Sequence, residues 1–319
     1  MTVVATTAPL FTRLPAGLFA SVMGLSGLAL AWRVAAETFP VSPWIGDALG
    51  GLSLAVFLLL ATFYVAKLIQ APNAVRAEFE NPVQSSFLAT ITVTLLLLAG
   101  IVRPWSFAMA DMIWMVGAAA HLLLAIAIVG SWISRRPDIG QMNPGWFIPT
   151  VGHIVASITG APLGHVELGW FFFAAGAVFT LILYPMVVYR LTVHETLPPA
   201  LQPTLFILIV PPALIFLASL ALGGSVDGVA RGFFSIALLV ALVLAVRLRQ
   251  FLALPFAASW WAYTFPLDAL TIAALRYHEG IGHPASAVLA ALLLALATAL
   301  VVGVLGLSLR ALARGKLLP

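Results

Sequence analysis

The sequence has no cysteine among its 319 residues. Disulfides, thiol redox chemistry and Cys-based metal sites are therefore excluded. Charge is nearly as scarce: 8% of residues are Asp, Glu, Lys or Arg, against about 25% in soluble chains. GxSxG, HExxH and Walker A patterns are missing, so neither hydrolase chemistry nor ATP-driven pumping is signalled and no enzyme is read here. The six histidines are scattered, in no clustered metal-ligand spacing and with no cysteine beside them, which argues against a metal site, and no cofactor is implied. Basic residues exceed acidic ones by four, but they stand singly or in pairs rather than in a patch. They read as topology signals, not as a nucleic-acid surface. The opening residues, MTVVATTAPLFTR, lack a charged n-region followed by a small-residue cleavage site and do not read as a cleaved signal.

What the chain has instead is apolar length. Hydrophobic residues make up 62% and the mean hydropathy is +1.11. No aqueous fold hides that much apolar surface, so the class is an all-α integral membrane protein with one transmembrane domain over residues 1–319. Ten spans can be drawn, at 14–36, 47–69, 82–102, 106–133, 146–161, 166–190, 203–223, 229–248, 255–276 and 284–310; each is of roughly bilayer-crossing length. The connections carry the breakers, as in QAPNAVRAEFENP at 70–82 and RRPDIGQMNPG at 135–145. Of the 15 Lys and Arg residues, all but Arg33, Arg103, Arg231 and Arg276 fall on the side that holds both termini. The positive-inside rule makes that side cytoplasmic, and the expected location is a bacterial inner membrane.

Odd and even spans differ. Internal prolines fall in the odd spans at Pro149, Pro211, Pro212 and Pro266, against Pro185 alone in the even ones. The third span adds Ser85, Ser86 and Thr90, whereas the second, eighth and tenth are rich in Leu, Ala and Val. Five helical hairpins around an axis, with odd helices inside and even helices facing lipid, would account for this pattern.

The stretch ALPFAASWWAYTFPLDALTIAALRY, 253–277, concentrates the unusual features. Pro266 has no N–H, so the carbonyl of Ala262 loses its helical partner and a kink is expected there. Trp261, Phe265 and Asp268 are spaced i, i+4, i+7 along one helical face. A ring beside a kink, at mid-membrane depth, suits a plug, and apolar constrictions gate by dewetting. Asp268 is the only carboxylate well inside a span. It is read either as an acceptor for a neighbouring helix or as a coupling group. His153 lies deep in the short fifth span, and with Asp268 it would suit a proton-coupled step. His121, equally deep in an even span, reads as a packed histidine. Pro211 and Pro212 free the carbonyls of Ile207 and Leu208, either for packing or to line a pore. Gly17, Gly24 and Gly27 permit close helix approach, with a share of pore wall as the functional version. Ser86 and Thr90 are candidate pore-lining hydroxyls.

Several of these segments carry a resemblance: LPAGLFASVMGLSGLALAW (14–32), NPVQSSF (81–87), PGWFIPTVG (144–152), LPPALQPTLFILIVPPAL (197–214) and PFAASWWAYTFP (255–266). Together they resemble the tellurite-resistance/C4-dicarboxylate transporter family, the TehA-like proteins, which is related to plant slow-type anion channels. The resemblance implies a quasi-fivefold arrangement of five hairpins, odd helices lining a central pore, a homotrimer in the bilayer, and a mid-membrane phenylalanine gate at the position of Phe265. Asp268 departs from the plant channels, where a small polar residue follows the proline.

The expected function is thus an anion channel or facilitative transporter for small inorganic or organic anions, with tellurite resistance as one role. The alternative is a proton-coupled C4-dicarboxylate or oxyanion carrier using Asp268 and His153.

Overall fold

The computed structural model describes residues 10–317. The rest of the chain, including most of the stretch read as an uncleaved N-terminus, lies outside the described residues. Every regular element among the described residues is helical, as backbone groups in lipid require. Twelve α-helices follow in order: α1 (Ala20–Thr38), α2 (Trp44–Gln70), α3 (Pro72–Glu80), α4 (Gln84–Val102), α5 (Phe107–Arg135) and α6 (Phe147–Gly160), then α7 (Val166–Val193), α8 (Val210–Ala221), α9 (Gly228–Val246), α10 (Leu248–Leu252), α11 (Thr264–Ile281) and α12 (Pro284–Ala313).

The apolar runs become helices between identifiable stops. Ser106 caps α5 by accepting from the Met109 N–H, and Asp227 caps α9 by accepting from Ala230. The turn from α11 to α12 is made by Gly282 at φ 68°, with Pro284 at the first position of the next helix. Glycine suits that left-handed position and proline that helix start.

Consecutive long helices pair as α1 with α2, α4 with α5, α6 with α7, α8 with α9 and α11 with α12. The first members of these five hairpins also touch in a closed circuit, α1–α4–α6–α8–α11 and back to α1. Burial follows the circuit. The segments Ala16–Thr38, Gln84–Val102, Pro144–Leu163 and Pro199–Ala221 are each 78% buried, while the second members of the hairpins are 22% to 33% buried. Odd segments therefore form the inner ring and even ones the apolar outer face.

Among the described residues nine helical segments are long and apolar enough to cross a membrane. The ninth expected span, 255–276, is the one not among them: it is split between a 3-10 stretch and α11, and α11 carries Asp268, Arg276 and Glu279. It is nevertheless buried within the ring along most of its length.

The expected kinks take a different form. Pro149, Pro211, Pro212 and Pro266 all fall in the first turn of α6, α8 or α11. There a missing N–H breaks no intrahelical bond. The discontinuity lies just upstream, where 3-10 segments run over Pro144–Trp146, Pro199–Ile209 and Ala258–Tyr263. The first segment has the same build without an internal proline, 3-10 over Ala16–Phe19 and then α1. The stretch 70–82, expected as a connection, holds the short helix α3, which Pro72 starts and Asn81 ends.

Candidate functional site

Two cavities lie inside the ring. The first, about 210 Å³, takes one or more residues from every odd segment: Met23, Thr90, Gly152, Ile207 and Ala262 are examples. It sits toward the end where the odd segments begin, and among the described residues none that is charged lines it. The second, about 670 Å³, lies toward the end where they finish, with Leu30, Leu97, Thr159, Leu217 and Ile272 in its wall.

Three residues belong to both walls: Phe265, Val155 and Leu214. They come from α11, α6 and α8, and all three are buried. The boundary between the cavities is therefore an apolar collar built from three helices. On α11 the cavity-facing positions include Phe265, Ala269, Ile272 and Arg276, at i, i+4, i+7 and i+11 of a continuous α-helix. On α6 the corresponding series is Ile148, Gly152, Val155 and Thr159.

Other candidates distribute as follows. Gly17, Thr90 and Pro266 line the first cavity. The Thr90 hydroxyl lies 2.9 Å from the Ala16 carbonyl and 2.6 Å from that of Phe87, so it serves the backbone at the entry of the first segment. Gly24 is in neither wall; it receives Thr264 and Trp261 of the ninth segment against α1. Ser86 is fully buried with no hydrogen-bond partner and lines neither cavity. Pro149, Pro211 and Pro212 lie beside wall residues Ile148 and Val210 rather than in the walls. Of the carbonyls they were expected to free, that of Leu208 accepts the Tyr184 hydroxyl at 3.2 Å, while Ile207 is a wall residue.

Asp268 and His153 are not brought together. Asp268 is completely buried against Gly27 of α1, and both carboxyl oxygens lack a hydrogen-bond partner. His153 packs edge-on against His121 of α5, ring centres 4.8 Å apart, and against Phe172 of α7. Its Nδ1 lies 2.8 Å from the Thr150 carbonyl, and His121 Nδ1 lies 2.8 Å from the Thr92 hydroxyl. Neither Asp268 nor His153 lines a cavity.

Two features had no sequence signal. Val155 and Leu214 are ordinary apolar residues in apolar helices, distinguishable only by where their neighbours place them. The charged vestibule was likewise hidden, because Arg33, Arg103, Arg276, Glu37 and Glu279 meet around the second cavity from three separate turns.

At the first mouth, a buried cluster fixes the start of the first segment. Lys67 Nζ donates to Glu78 Oε1 at 2.6 Å and to the Leu14 carbonyl at 2.8 Å. The Tyr64 hydroxyl donates to Glu78 Oε2 at 2.7 Å.

Comparison with known proteins bears directly on this arrangement. The family model described as SLAC1, voltage-dependent anion channel, matches residues 13–309. The chain is 32% identical over 305 residues to the S-type anion channel SLAH3 of Arabidopsis thaliana, covering 93% of this chain and 48% of that protein. It is 30% identical to the guard cell S-type anion channel SLAC1 of the same plant, over 88% of this chain and 52% of that one. The tellurite resistance protein TehA homolog of Haemophilus influenzae is 28% identical, over 84% and 82%. The chain thus spans about half the length of these plant relatives and most of the bacterial one.

Proposed function

Since the chain belongs to the SLAC1 family of voltage-dependent anion channels, we propose that it conducts small anions through the ring of odd segments and that Phe265 is its gate. The observation carrying this reading is the collar: Phe265, with Val155 and Leu214, is shared by the walls of two cavities that the same ring of odd segments encloses. An apolar collar of this kind excludes water and thereby raises the barrier to an ion, whose hydration shell has nothing to replace it. Removing the ring would join the cavities. Phe265→Ala is accordingly expected to give large anion currents in planar bilayers where the parent gives little; an unchanged conductance would overturn the gate.

The working orientation puts both termini in the cytoplasm of a bacterial cell, on the charge distribution of the connecting segments. A homotrimer and a role in tellurite resistance belong to the same proposal. The exposed apolar faces of the even helices are compatible with lipid or with a second copy.

A second reading, a proton-coupled carrier for C4-dicarboxylates or related oxyanions, draws on the unpartnered carboxyl of Asp268. Ionisable groups in membrane interiors are candidates for proton transfer. It requires uptake that follows an imposed pH gradient and is lost in Asp268→Asn. Uptake indifferent to both would remove it.

A further inference from the structure

Only four basic residues, Arg33, Arg103, Arg231 and Arg276, stand on the side where the odd segments end. Three of those four line one cavity, the second vestibule. Basic residues are rare on that side for reasons of topology, so their convergence on one chamber calls for a local cause.

Two of the three are already matched. Arg33 lies 2.8 Å from Asp47 and donates from Nη1 to the Ile101 carbonyl at 2.7 Å. Arg276 pairs with Glu37 at 2.8 Å and with Glu279 at 2.7 Å. Arg103 is different. Among the described residues it has no ion pair and no side-chain hydrogen bond, although it stands in the vestibule wall next to Pro104. It occupies the C-cap of α4, whose helix runs down the same cavity through Leu97 and Gly100.

Resting on the reading of this chain as an anion conductor, we propose that Arg103 is an anion-collecting site: it draws a small hydrated anion, a halide or an inorganic oxyanion, into the second vestibule ahead of the collar. Cavities with low-dielectric walls focus the field of such a charge and raise the local counter-ion concentration. The paired arginines cannot do this equally, since their carboxylates cancel most of their field at the distance of a passing ion. The single free guanidinium also leaves the anion loosely held. A loaded ion must leave again for conduction to proceed, so one exposed cation serves better than a closed cluster.

A unit charge about 5 Å from an anion in water alters its local concentration about fourfold. Screening over about 30 Å at 0.01 M salt, and about 3 Å at 1 M, makes the effect depend on ionic strength. It also acts chiefly on one direction, because anions arriving from the opposite mouth pass the shared wall at Val155 and Leu214 before they come near Arg103, with or without the Phe265 ring.

The test uses the full-length chain carrying Phe265→Ala, reconstituted with known orientation, with and without Arg103→Gln. At 0.01 M salt, Arg103→Gln is expected to reduce current carried by anions entering the second vestibule about three- to fourfold. Current in the other direction changes little, and the difference vanishes near 1 M. Arg103→Lys retains the parent current. A loss equal in both directions, a loss independent of salt, or no loss overturns the proposal. So does a lowered thermal midpoint with unchanged currents, which would make Arg103 only a partner for the C-terminal dipole of α4. Absence of current in the Phe265→Ala parent itself would instead strike at the channel reading, and this proposal would fall with it.

Discussion

Gly27 of α1 and Asp268 of α11 are packed so tightly that a methyl group on the glycine would stand 2.8 Å from both the Cβ and a carboxyl oxygen of the aspartate. One turn earlier, Gly24 accepts Thr264 and Trp261 in the same way. Small residues thus set the spacing between the first and ninth segments, as they do between many membrane helices. Gly27→Ala is expected to destabilise the protein by about 1–3 kcal/mol through overpacking. The midpoint of thermal unfolding in detergent checks this. Asp268→Gly, which removes both of these atoms, should recover most of the loss when added to the same variant, beyond its own helix cost of about 1 kcal/mol; an unimproved double variant would point to damage elsewhere in α1.

The Lys67–Glu78–Tyr64 cluster makes a second prediction. Lys67 is 3% exposed and the Glu78 side chain 11%, so removing one partner leaves the other charged and buried. Lys67→Met or Glu78→Gln is expected to cost about 3–5 kcal/mol, and the double variant clearly less than the sum of the two. Thermal unfolding of all four proteins gives the coupling. Additive effects would mean that the two groups act independently.

The collar assigns unequal weight to its members. Phe265→Ala removes the ring, while Val155→Ala and Leu214→Ala only thin the wall around it. Both smaller substitutions are expected to raise basal anion flux in vesicles, each less than Phe265→Ala. Leu220→Ala, in the second vestibule alone, should leave flux unchanged. Equal effects at Leu220 and Leu214 would deny the collar any special role.

The first cavity has no charged residue in its wall. On the proposed reading, with no fixed cation beside the collar, the cost of stripping water from the ion would govern passage. Permeability in the Phe265→Ala protein is therefore expected to rise as hydration weakens, with thiocyanate and nitrate above chloride and sulfate lowest. Reversal potentials under bi-ionic conditions measure the order. A preference for the strongly hydrated ions would require a binding group that the wall does not contain.

Much of the architecture was readable from the chain because lipid imposes simple rules. The excess of prolines and hydroxyls in alternate spans corresponds to the buried inner ring, and the spans rich in Leu, Ala and Val correspond to the outer face. The details that failed to show depend on helical phase. Trp261, Phe265 and Asp268 share a face only if the helix is α throughout, but Ala258–Tyr263 is 3-10. Within α11 itself, Asp268 lies about 60° around from Phe265 at 3.6 residues per turn. That rotation buries the carboxyl behind Gly27 of α1, itself a wall residue of the second cavity, so that Asp268 lines neither chamber. The collar partners Val155 and Leu214 escaped notice for another reason: nothing distinguishes a pore-facing valine from a packed one until its helix has been oriented. Arg103 was read only as a topology marker, since its neighbours in the vestibule lie far off in sequence.

The 3-10 segment Pro199–Ile209 contains 11 residues. Wound at about 2.0 Å per residue it covers about 22 Å, whereas the same stretch wound as α-helix, at 1.5 Å per residue, would cover about 16 Å. The difference is about one α-helical pitch, and the prolines hold the longer winding: in a continuous α-helix Pro203, Pro211 and Pro212 would all be interior and would each break a hydrogen bond. The seventh segment therefore carries Leu214 about one pitch further along the axis than an unbroken α-helix starting at Pro199 would.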